Sequence, residues 1–587
     1  MGQVANLQAD CESAFPSTFN LTASQAAWVF IENYAARRRS ARHSGPKRLA
    51  HDQPPTPNPT CYHPSMRTLI ALALLAAVSA ASAATCESLA AAALPDTTIA
   101  TAQSIPAGAF TPPYGNAIDK LPAFCRVAGL IKPTPDSYIR FEVWLPASNW
   151  NGKFLGVGNG GFAGAIGFSS MGANLKRGYA TAGTDTGHEA DGEDASWAYH
   201  HPEKVNDFGY RALHLTTVNA KSLVQAFYSQ PAQHAYFDSC SDGGREALME
   251  AQRFPADYDG ILAGAPANFW THMLAAGVDI SQAIYTDPAA YISSIKFPAI
   301  AAAVLAACDA QDGVKDGILN DPTRCRFDPS TLLCKDVESR TCLTAPQVAS
   351  LKKLYAGGRN SHRDPFFPGY APGAEDGRGG WVPWLIGNGP GGSSSSVYME
   401  NYFRYMVFAD PTWNPLTANV DTAIQTADEK TARALNATET DLHAFQSRGG
   451  KLILYHGWND PAISPANSIN YYNGVLHAMG APAAQSFVRL YMVPGLQHCV
   501  GGPGPNSFGQ LGTTTAKGPE HGIYDALEQW VEEGAAPDAI VATKYADDSV
   551  AKGVRMTRPL CPYPQIATYK GTGDSSEYTT WDCKTPR

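Results

Sequence analysis

The sequence predicts an α/β fold in which helices cover both faces of a sheet. Two observations indicate it. Strand-like segments at 139–145, 152–157 and 178–183 are separated by short joints that contain glycine. A helix-like stretch at 209–228 then leads into a further strand at 235–237. Alternation of strands and helices across short glycine-rich joints is typical of a sheet covered on both faces.

The alternation continues past residue 237 and is then interrupted. A turn at Ser241 precedes a helix at 245–253 and a strand at 258–265, but the regular pattern fails between 266 and 442. That segment holds four cysteines, many glycines and prolines and numerous aromatic residues, which favours an inserted domain with long loops. The pattern then resumes with strands at 451–455 and 487–493 and helices at 465–479 and 523–533.

The first 84 residues carry a different signal. Met66 and Arg67 precede an apolar run at 69–78 and an Ala- and Ser-rich stretch, as in a secretory signal peptide. A transmembrane helix is the alternative, but the run is too short to span a bilayer comfortably. The predicted domains are an over-long extension at 1–65, a signal peptide at 66–84, a main domain formed by 85–265 and 443–587, and a lid at 266–442.

Charge and cysteine content restrict the environment and the partners. The chain has 44 basic and 53 acidic residues, a net charge of −9, and no basic patch, which excludes nucleic acid as an expected partner. Signal cleavage would remove Cys11 and Cys61 and leave ten of the twelve cysteines, an even number that suits disulfides. We expect a secreted or periplasmic protein that is free of the membrane after cleavage. The sequence leaves its oligomeric state open.

Three residues at predicted strand ends suggest acyl-transfer chemistry. Ser241 lies between a strand and a helix, Asp460 follows the strand at 451–455, and His498 follows the strand at 487–493. The carboxyl ends of parallel strands carry the sites of such folds, and the chain order Ser, Asp, His matches that of α/β-hydrolases. A serine hydroxyl needs an imidazole within hydrogen-bond reach to become a nucleophile. We therefore predict a catalytic triad.

Each member also has a structural interpretation. Ser241 would serve as a helix N-cap, Asp460 as a turn residue before a proline, and His498 as a loop histidine. Two neighbours favour the triad, because Cys240 precedes the serine and Cys499 follows the histidine, so a disulfide between them would tether nucleophile to base. The rival acids and base are Asp185, Asp238 and His188.

An oxyanion hole needs backbone N–H groups directed at the developing charge. Asp242, which follows the nucleophile, supplies one such group. The turn at 158–161 is the natural source of the second, with Gly161 the preferred donor and Gly160 close behind.

Several motifs together resemble those of the tannase and feruloyl esterase family, which includes hydrolases of mono(hydroxyethyl) terephthalate. They are Cys-Ser-x-Gly-Gly-Arg at 240–245 and the segments 249–255, 257–261, 264–267, 455–458 and 560–564. The resemblance spans about 86–583 and implies a lidded α/β-hydrolase with Ser241, Asp460 and His498 as its triad. It also implies the Cys240–Cys499 disulfide. The family usually has Gly where this chain has Ser239.

An acidic loop in the lid is a candidate metal site. Asp309, Asp312 and Asp316 alternate with glycines, so their oxygens could converge on a hard cation such as Ca²⁺. The spacing is not that of an EF-hand, and the residues alone fit an acidic turn equally well. The family resemblance implies a structural calcium ion, held by these three side chains and by the carbonyl groups of Val314 and Ile318.

The other cysteines fall into pairs. Cys308 and Cys325 bracket the acidic loop, and Cys334 and Cys342 follow closely, so both pairs are expected to bridge locally. Spacing alone does not fix connectivity. The resemblance implies the remaining bridges, Cys86–Cys125 and Cys561–Cys583.

The lid aromatics bear on the substrate. They include Trp381, Trp384, Tyr398, Tyr402, Phe403, Tyr405, Phe408 and Trp413. Most would be core, with one or two covering a flat acyl group. Arg404 would pair either with a substrate carboxylate or with a surface acid. We predict a serine carboxylesterase for aromatic acids, with feruloyl esters first and galloyl esters or the terephthalate monoester as rivals. A calcium-stabilised binding protein without turnover is the non-enzymatic alternative.

Overall fold

The computed structural model describes residues 84–586. The predicted extension and signal peptide, with Cys11 and Cys61, lie outside the described residues apart from Ala84. The core of the fold is a nine-stranded sheet with the spatial order β1-β2-β3-β5-β4-β6-β7-β8-β9. Its strands are β1 (Thr97–Ile105), β2 (Phe124–Ile131), β3 (Ile139–Pro146), β4 (Lys153–Val157), β5 (Ala180–Thr184), β6 (His234–Cys240), β7 (Gly260–Gly264), β8 (Lys451–Gly457) and β9 (Val488–Val493).

The sheet has an antiparallel edge and a parallel centre. Strands β1, β2, β3 and β5 pair antiparallel, and every pair from β5 through β4 to β9 is parallel. In the parallel part Cys240 pairs with Gly264, and Gly457 pairs with Val493. The segments that follow β6, β8 and β9 therefore leave the same edge of the sheet.

Helices cover both faces, as the alternation predicts. They are α1 (Phe168–Lys176), α2 (Pro202–Asn206), α3 (Ala212–Tyr228), α4 (Asp242–Arg253), α5 (Trp270–Tyr285), α6 (Phe297–Cys308), α7 (Ala345–Ala356), α8 (Ser394–Asn401), α9 (Val420–Leu435), α10 (His443–Ser447), α11 (Pro465–Met479), α12 (Ala481–Gln485) and α13 (Ile523–Glu533). Helices α3, α4 and α11 pack in one apolar core and α1 and α13 in another. The α/β-hydrolase fold is confirmed.

The segment 266–442 contributes no strand to the nine-stranded sheet. Its helices α6 and α7 pack in one apolar cluster, and α5, α8 and α9 pack in another that also includes main-domain residues such as Phe162 and Phe208. Within the described chain, one stretch, Pro288–Asp312, is long and apolar enough for a membrane span, with a mean hydropathy of 1.6. A core helix of a soluble protein passes the same test, and α6 within this stretch buries Phe297, Ile300 and Val304.

The C-terminal part forms two antiparallel hairpins, β10 (Ile540–Tyr545) with β11 (Val554–Leu560) and β12 (Ile566–Tyr569) with β13 (Trp581–Lys584). Five disulfides cross-link the fold, an arrangement typical of proteins from an oxidising compartment. They are Cys86–Cys125, Cys240–Cys499, Cys308–Cys325, Cys334–Cys342 and Cys561–Cys583.

Candidate active site

Ser241 occupies a strained turn between β6 and α4. Its φ is +70° and its ψ is −124°, a region that non-glycine residues rarely adopt. The turn is tight, because a Cβ on Gly243 would overlap the Ser239 side chain and one on Gly244 would overlap the Gly264 carbonyl. This is the geometry of a nucleophile elbow, and it is present although Ser239 replaces the usual glycine.

His498 connects the serine to an acid. Its Nε2 lies 2.9 Å from Ser241 Oγ, and its Nδ1 lies 2.8 Å from Asp460 Oδ2. The Cys240–Cys499 disulfide, with a Cα–Cα distance of 6.0 Å, joins the residue before the serine to the residue after the histidine. Ser241 can therefore pass its proton to Nε2 while Asp460 holds Nδ1–H, the arrangement that nucleophilic catalysis requires.

Asp460 is fully buried and held by four donors. Its Oδ1 accepts hydrogen bonds from the backbone N–H groups of Ala462 (2.8 Å) and Ile463 (3.0 Å). Its Oδ2 faces His498 and also His456 Nε2, at 3.1 Å. Burial disfavours the charged carboxylate, but the charge of His498 and the hydrogen bonds from His456 and His498 outweigh it and lower the pKa of Asp460. The acid is thus ionised throughout the neutral range.

His456 is a further histidine beside the acid, and its role was not predicted from the sequence. Its Nε2 faces two acceptors, Asp460 Oδ2 and the Ile463 carbonyl, so this nitrogen acts as a donor, and Nδ1 hydrogen-bonds with Ser468 Oγ at 2.7 Å. The imidazole is therefore a second donor to the acid. Its place in the motif at 455–458 was the available signal.

The predicted oxyanion donors are backbone N–H groups of Asp242 and of the loop at 158–161. Among residues 84–586, the N–H groups of Asp242, Gly160 and Gly161 have no hydrogen-bond acceptor, whereas the next amide, Phe162 N–H, donates to the Gly192 carbonyl at 2.7 Å. Asp242 and Gly161 both line the cavity that contains Ser241 and His498, and Gly160 does not. Position therefore favours Gly161 over Gly160 as the second oxyanion donor.

Aromatic lid residues form much of that cavity. Trp384 lies edge-on to His498, with ring centroids 5.1 Å apart, and nearly parallel to Tyr398. Trp270 and Phe367 extend the apolar lining. Burial raises the pKa of Tyr398 to about 12, which keeps its phenol a neutral hydrogen-bond donor. The other predicted aromatics include pure core residues, and Trp381, Tyr402 and Phe403 are fully buried.

Arg404 does not line the cavity. Its guanidinium pairs with Glu400 at 2.7 Å and its Nε donates to the Trp413 carbonyl at 3.1 Å. The structure thus gives Arg404 the ion pair that was the alternative expectation, and its position does not favour contact with a substrate carboxylate.

The rival acid and base serve a neighbouring loop. Asp185 Oδ1 accepts from the N–H groups of Arg140 and Gly187, at 3.0 and 2.8 Å. His188 bonds the Phe162 carbonyl at 2.7 Å and stacks on Trp197 with centroids 3.7 Å apart. Neither residue hydrogen-bonds to Ser241 or His498. Asp238, the third rival, is absent from the lining of the cavity.

The acidic lid loop offers oxygen donors, partly engaged already. Asp309 accepts from Gly317 N–H, and Asp316 pairs with Arg558 at 2.6 Å. Asp312 Oδ2 is buried without a partner, and burial raises the pKa of Asp312 to about 6. Within the described chain, no three or more His, Cys, Asp or Glu side chains form a metal-binding group, so a cation here would also need carbonyl ligands such as those expected from Val314 and Ile318.

Comparison with known proteins matches this picture. The family model described as tannase and feruloyl esterase matches residues 125–584. An uncharacterized esterase of Xanthomonas campestris pv. campestris is 45% identical over 88% of this chain and 94% of its own, and a probable feruloyl esterase B-1 of Aspergillus oryzae is 33% identical over 78% and 84%.

Two solved structures extend the comparison. Feruloyl esterase B from Aspergillus oryzae superposes with a TM-score of 0.79 at 32% identity, over 85% of this chain and 99% of that one. Tannin acyl hydrolase from Aspergillus niger, at 24% identity, has a TM-score of 0.66 over 84% and 92% and shares the fold. The protein is a carboxylic ester hydrolase that belongs to the tannase and feruloyl esterase family.

Proposed function

We propose that the protein is a secreted serine esterase that hydrolyses esters of aromatic acids, with Ser241 as nucleophile, His498 as base and Asp460 as the orienting acid. The observation that carries the proposal is the hydrogen-bonded chain Ser241–His498–Asp460 at the edge of an aromatic-lined cavity. The five disulfides support export, and N-terminal sequencing of the secreted protein is expected to begin near residue 84 or 85.

The reaction follows from the positions of these groups. His498 Nε2 takes the proton as Ser241 Oγ attacks the ester carbonyl, and the N–H groups of Asp242 and Gly161 stabilise the resulting oxyanion. His498 then gives its proton to the leaving alcohol, which leaves an acyl-enzyme. A water molecule, deprotonated by the same imidazole, attacks the acyl-enzyme and releases the acid.

The cavity favours a neutral aromatic acyl group. Trp270, Trp384 and Tyr398 offer flat apolar surface, and none of the described residues that line the cavity is a lysine or arginine. A terephthalate monoester carries a second carboxylate that needs a cationic partner when buried. We therefore rank feruloyl esters first, galloyl esters second and the terephthalate monoester third. The names of the feruloyl esterase relatives support the first place given to feruloyl esters.

A hydrolysis panel tests the proposal. Wild type and Ser241→Ala are assayed with methyl ferulate, methyl gallate and mono(hydroxyethyl) terephthalate. We expect the highest kcat/KM on methyl ferulate, and background rates for the variant on all three esters. Equal rates for both proteins would instead indicate a binding protein without turnover. A preference for the terephthalate monoester would refute the argument that a second carboxylate needs a lysine or arginine in the cavity lining.

We also propose that the acidic loop binds a structural calcium ion. The oxygen-only donor set and the buried, unpaired Asp312 Oδ2 fit a hard cation, which would join Asp309, Asp312 and Asp316 to the carbonyl groups of Val314 and Ile318. Bound calcium would stabilise the lid by mass action. Excess EGTA is expected to lower the Tm of wild type and to leave that of Asp312→Asn nearly unchanged; an unaffected wild type would contradict the site.

A further inference from the structure

We infer that Glu246, a buried acid on α4, is a positioning residue that holds the oxyanion loop, residues 158–161, against the nucleophile helix. The inference rests on the proposed triad and goes beyond it, because Glu246 touches neither Ser241 nor His498 by hydrogen bond. It acts through the backbone of Asn159.

Two hydrogen bonds made by the Asn159 backbone join this loop to α4. The N–H of Asn159 donates to Glu246 Oε2 at 2.8 Å, and the carbonyl of Asn159 accepts from Gly243 N–H at 3.0 Å. Glu246 and Gly243 lie one turn apart near the start of α4, which begins directly after Ser241. The loop is therefore fixed to the same helix end that carries the nucleophile.

Glu246 is buried and tightly packed against the oxyanion loop. It is 2% exposed, and a Cβ on Gly158 would overlap its Oε2. Gly158 has room for no side chain because the loop and the carboxyl group are in direct contact. The bond to Glu246 also occupies the Asn159 amide, so the free amides of the loop are those of Gly160 and Gly161, and of these two residues Gly161 lines the cavity.

The carboxyl group is suited to this role as a neutral acceptor. Burial, and then the neighbouring carboxyl of Asp242, raise the pKa of Glu246. A neutral acid still accepts from Asn159 N–H, and it adds no negative charge beside the developing oxyanion. Its second oxygen, Oε1, is buried without a partner in the described chain, so one hydrogen bond is the main polar contact of the side chain.

The chain provides a matched control. Glu250 lies one helical turn further along α4, is 1% exposed, and has a raised pKa from burial and from Asp257. It makes no hydrogen bond to the oxyanion loop. Shortening either glutamate to aspartate removes one methylene group from an equally buried site, but only Glu246→Asp withdraws the acceptor from Asn159.

The test compares Glu246→Asp, Glu246→Gln and Glu250→Asp on p-nitrophenyl acetate. A misplaced oxyanion donor costs roughly 10-fold to 100-fold in kcat, so we expect that loss for Glu246→Asp with KM within about 2-fold of wild type. Gln keeps the length and the acceptor oxygen, so Glu246→Gln is expected to retain kcat within about 3-fold. Glu250→Asp is expected to match wild type in kcat.

A transition-state mimic separates positioning from general damage. The inhibition constant of phenylboronic acid, whose tetrahedral adduct on Ser241 uses the oxyanion donors, should rise in Glu246→Asp by the same factor as kcat falls. Equal kcat for Glu246→Asp and Glu250→Asp, or a Gln variant as slow as the Asp variant, would overturn the inference. Activity surviving in Ser241→Ala would instead overturn the proposed triad.

Hydrogen exchange of the wild type gives a check that needs no variant to fold. The Asn159 amide, bonded to a buried carboxyl, is expected to exchange slowly, whereas the free amides of Gly160 and Gly161 exchange quickly. An Asn159 amide that exchanges as fast as those of Gly160 and Gly161 would contradict the proposed hydrogen bond to Glu246.

Discussion

The Cys240–Cys499 disulfide is expected to contribute both to stability and to turnover. It closes a loop across a sequence separation of 259 residues, whereas Cys334–Cys342 spans 8. In the chain-entropy description, loops of these lengths correspond to about 5.6 and about 2.5 kcal/mol respectively. Unfolding entropy of about 2.1 cal/mol/K per residue makes 1 kcal/mol equivalent to roughly 0.8 °C for a chain of this size. Cys240→Ala/Cys499→Ala should therefore lower Tm by about 5 °C and Cys334→Ala/Cys342→Ala by about 2 °C.

Turnover should distinguish the two double variants more sharply. Only the first removes the tether between the serine turn and the loop that carries His498, so kcat on p-nitrophenyl acetate is expected to fall about 10-fold or more, measured well below Tm. Cys334→Ala/Cys342→Ala leaves the Ser241–His498–Asp460 chain intact, so it is the control for the loss of a cross-link. Unchanged kcat in the first variant, or equal loss in both, would refute the view that this bridge positions the base.

Further expectations concern single side chains. Asp460→Asn should lower kcat about 10⁴-fold with little change in KM, because His498 loses the partner that fixes its tautomer; a loss below 10-fold would exclude Asp460 as the orienting acid. Arg404→Ala should leave kcat/KM unchanged on all three aromatic esters, and a selective loss on the terephthalate monoester would restore its carboxylate-binding role. Burial raises the pKa of Asp185 to about 7, so the folded state keeps a proton that the unfolded chain loses near pH 4. The free energy of unfolding therefore decreases as the pH rises from about 4 to about 7. Asp185→Asn should thus raise Tm more at pH 8 than at pH 4, and an equal change at both would refute this.

The parallel half of the sheet was predictable, and the antiparallel edge was only partly so. Strands β4, β8 and β9 are short, largely buried runs of mostly apolar residues, which gives them a clear pattern. Strand β1 is half-exposed along its length and contains Thr, Ala, Gln and Ser, and β2 includes Gly129. An edge strand buries little surface and needs few apolar residues, so β1 did not stand out from the sequence. Strand β2 is paired on both sides and largely buried, but Arg126 and Gly129 interrupt its apolar pattern.

The site residues also fall into two groups, those that a sequence pattern indicates and those that only the folded structure brings into contact. Ser241, Asp460 and His498 were predictable because each follows a strand and two of them adjoin cysteines. Glu246 and His456 act through contacts that form only when distant segments meet, since Glu246 and Asn159 are 87 residues apart.

Arg404 is the opposite case, because the sequence offered two uses for it and the structure shows the ion pair with Glu400. It lies six residues after Tyr398, which lines the cavity, but the α-helix of Tyr398 ends at Asn401. Arg404 belongs to the π-helical segment that follows, and it is not among the residues that line the cavity. Proximity along a helical segment is therefore weak evidence for a shared site. A buried carboxyl group that accepts a hydrogen bond from a loop amide, as Glu246 does from Asn159, is stronger evidence for a role at the site. Burying the carboxyl group without a partner would cost free energy, so the hydrogen bond restricts where the loop can lie.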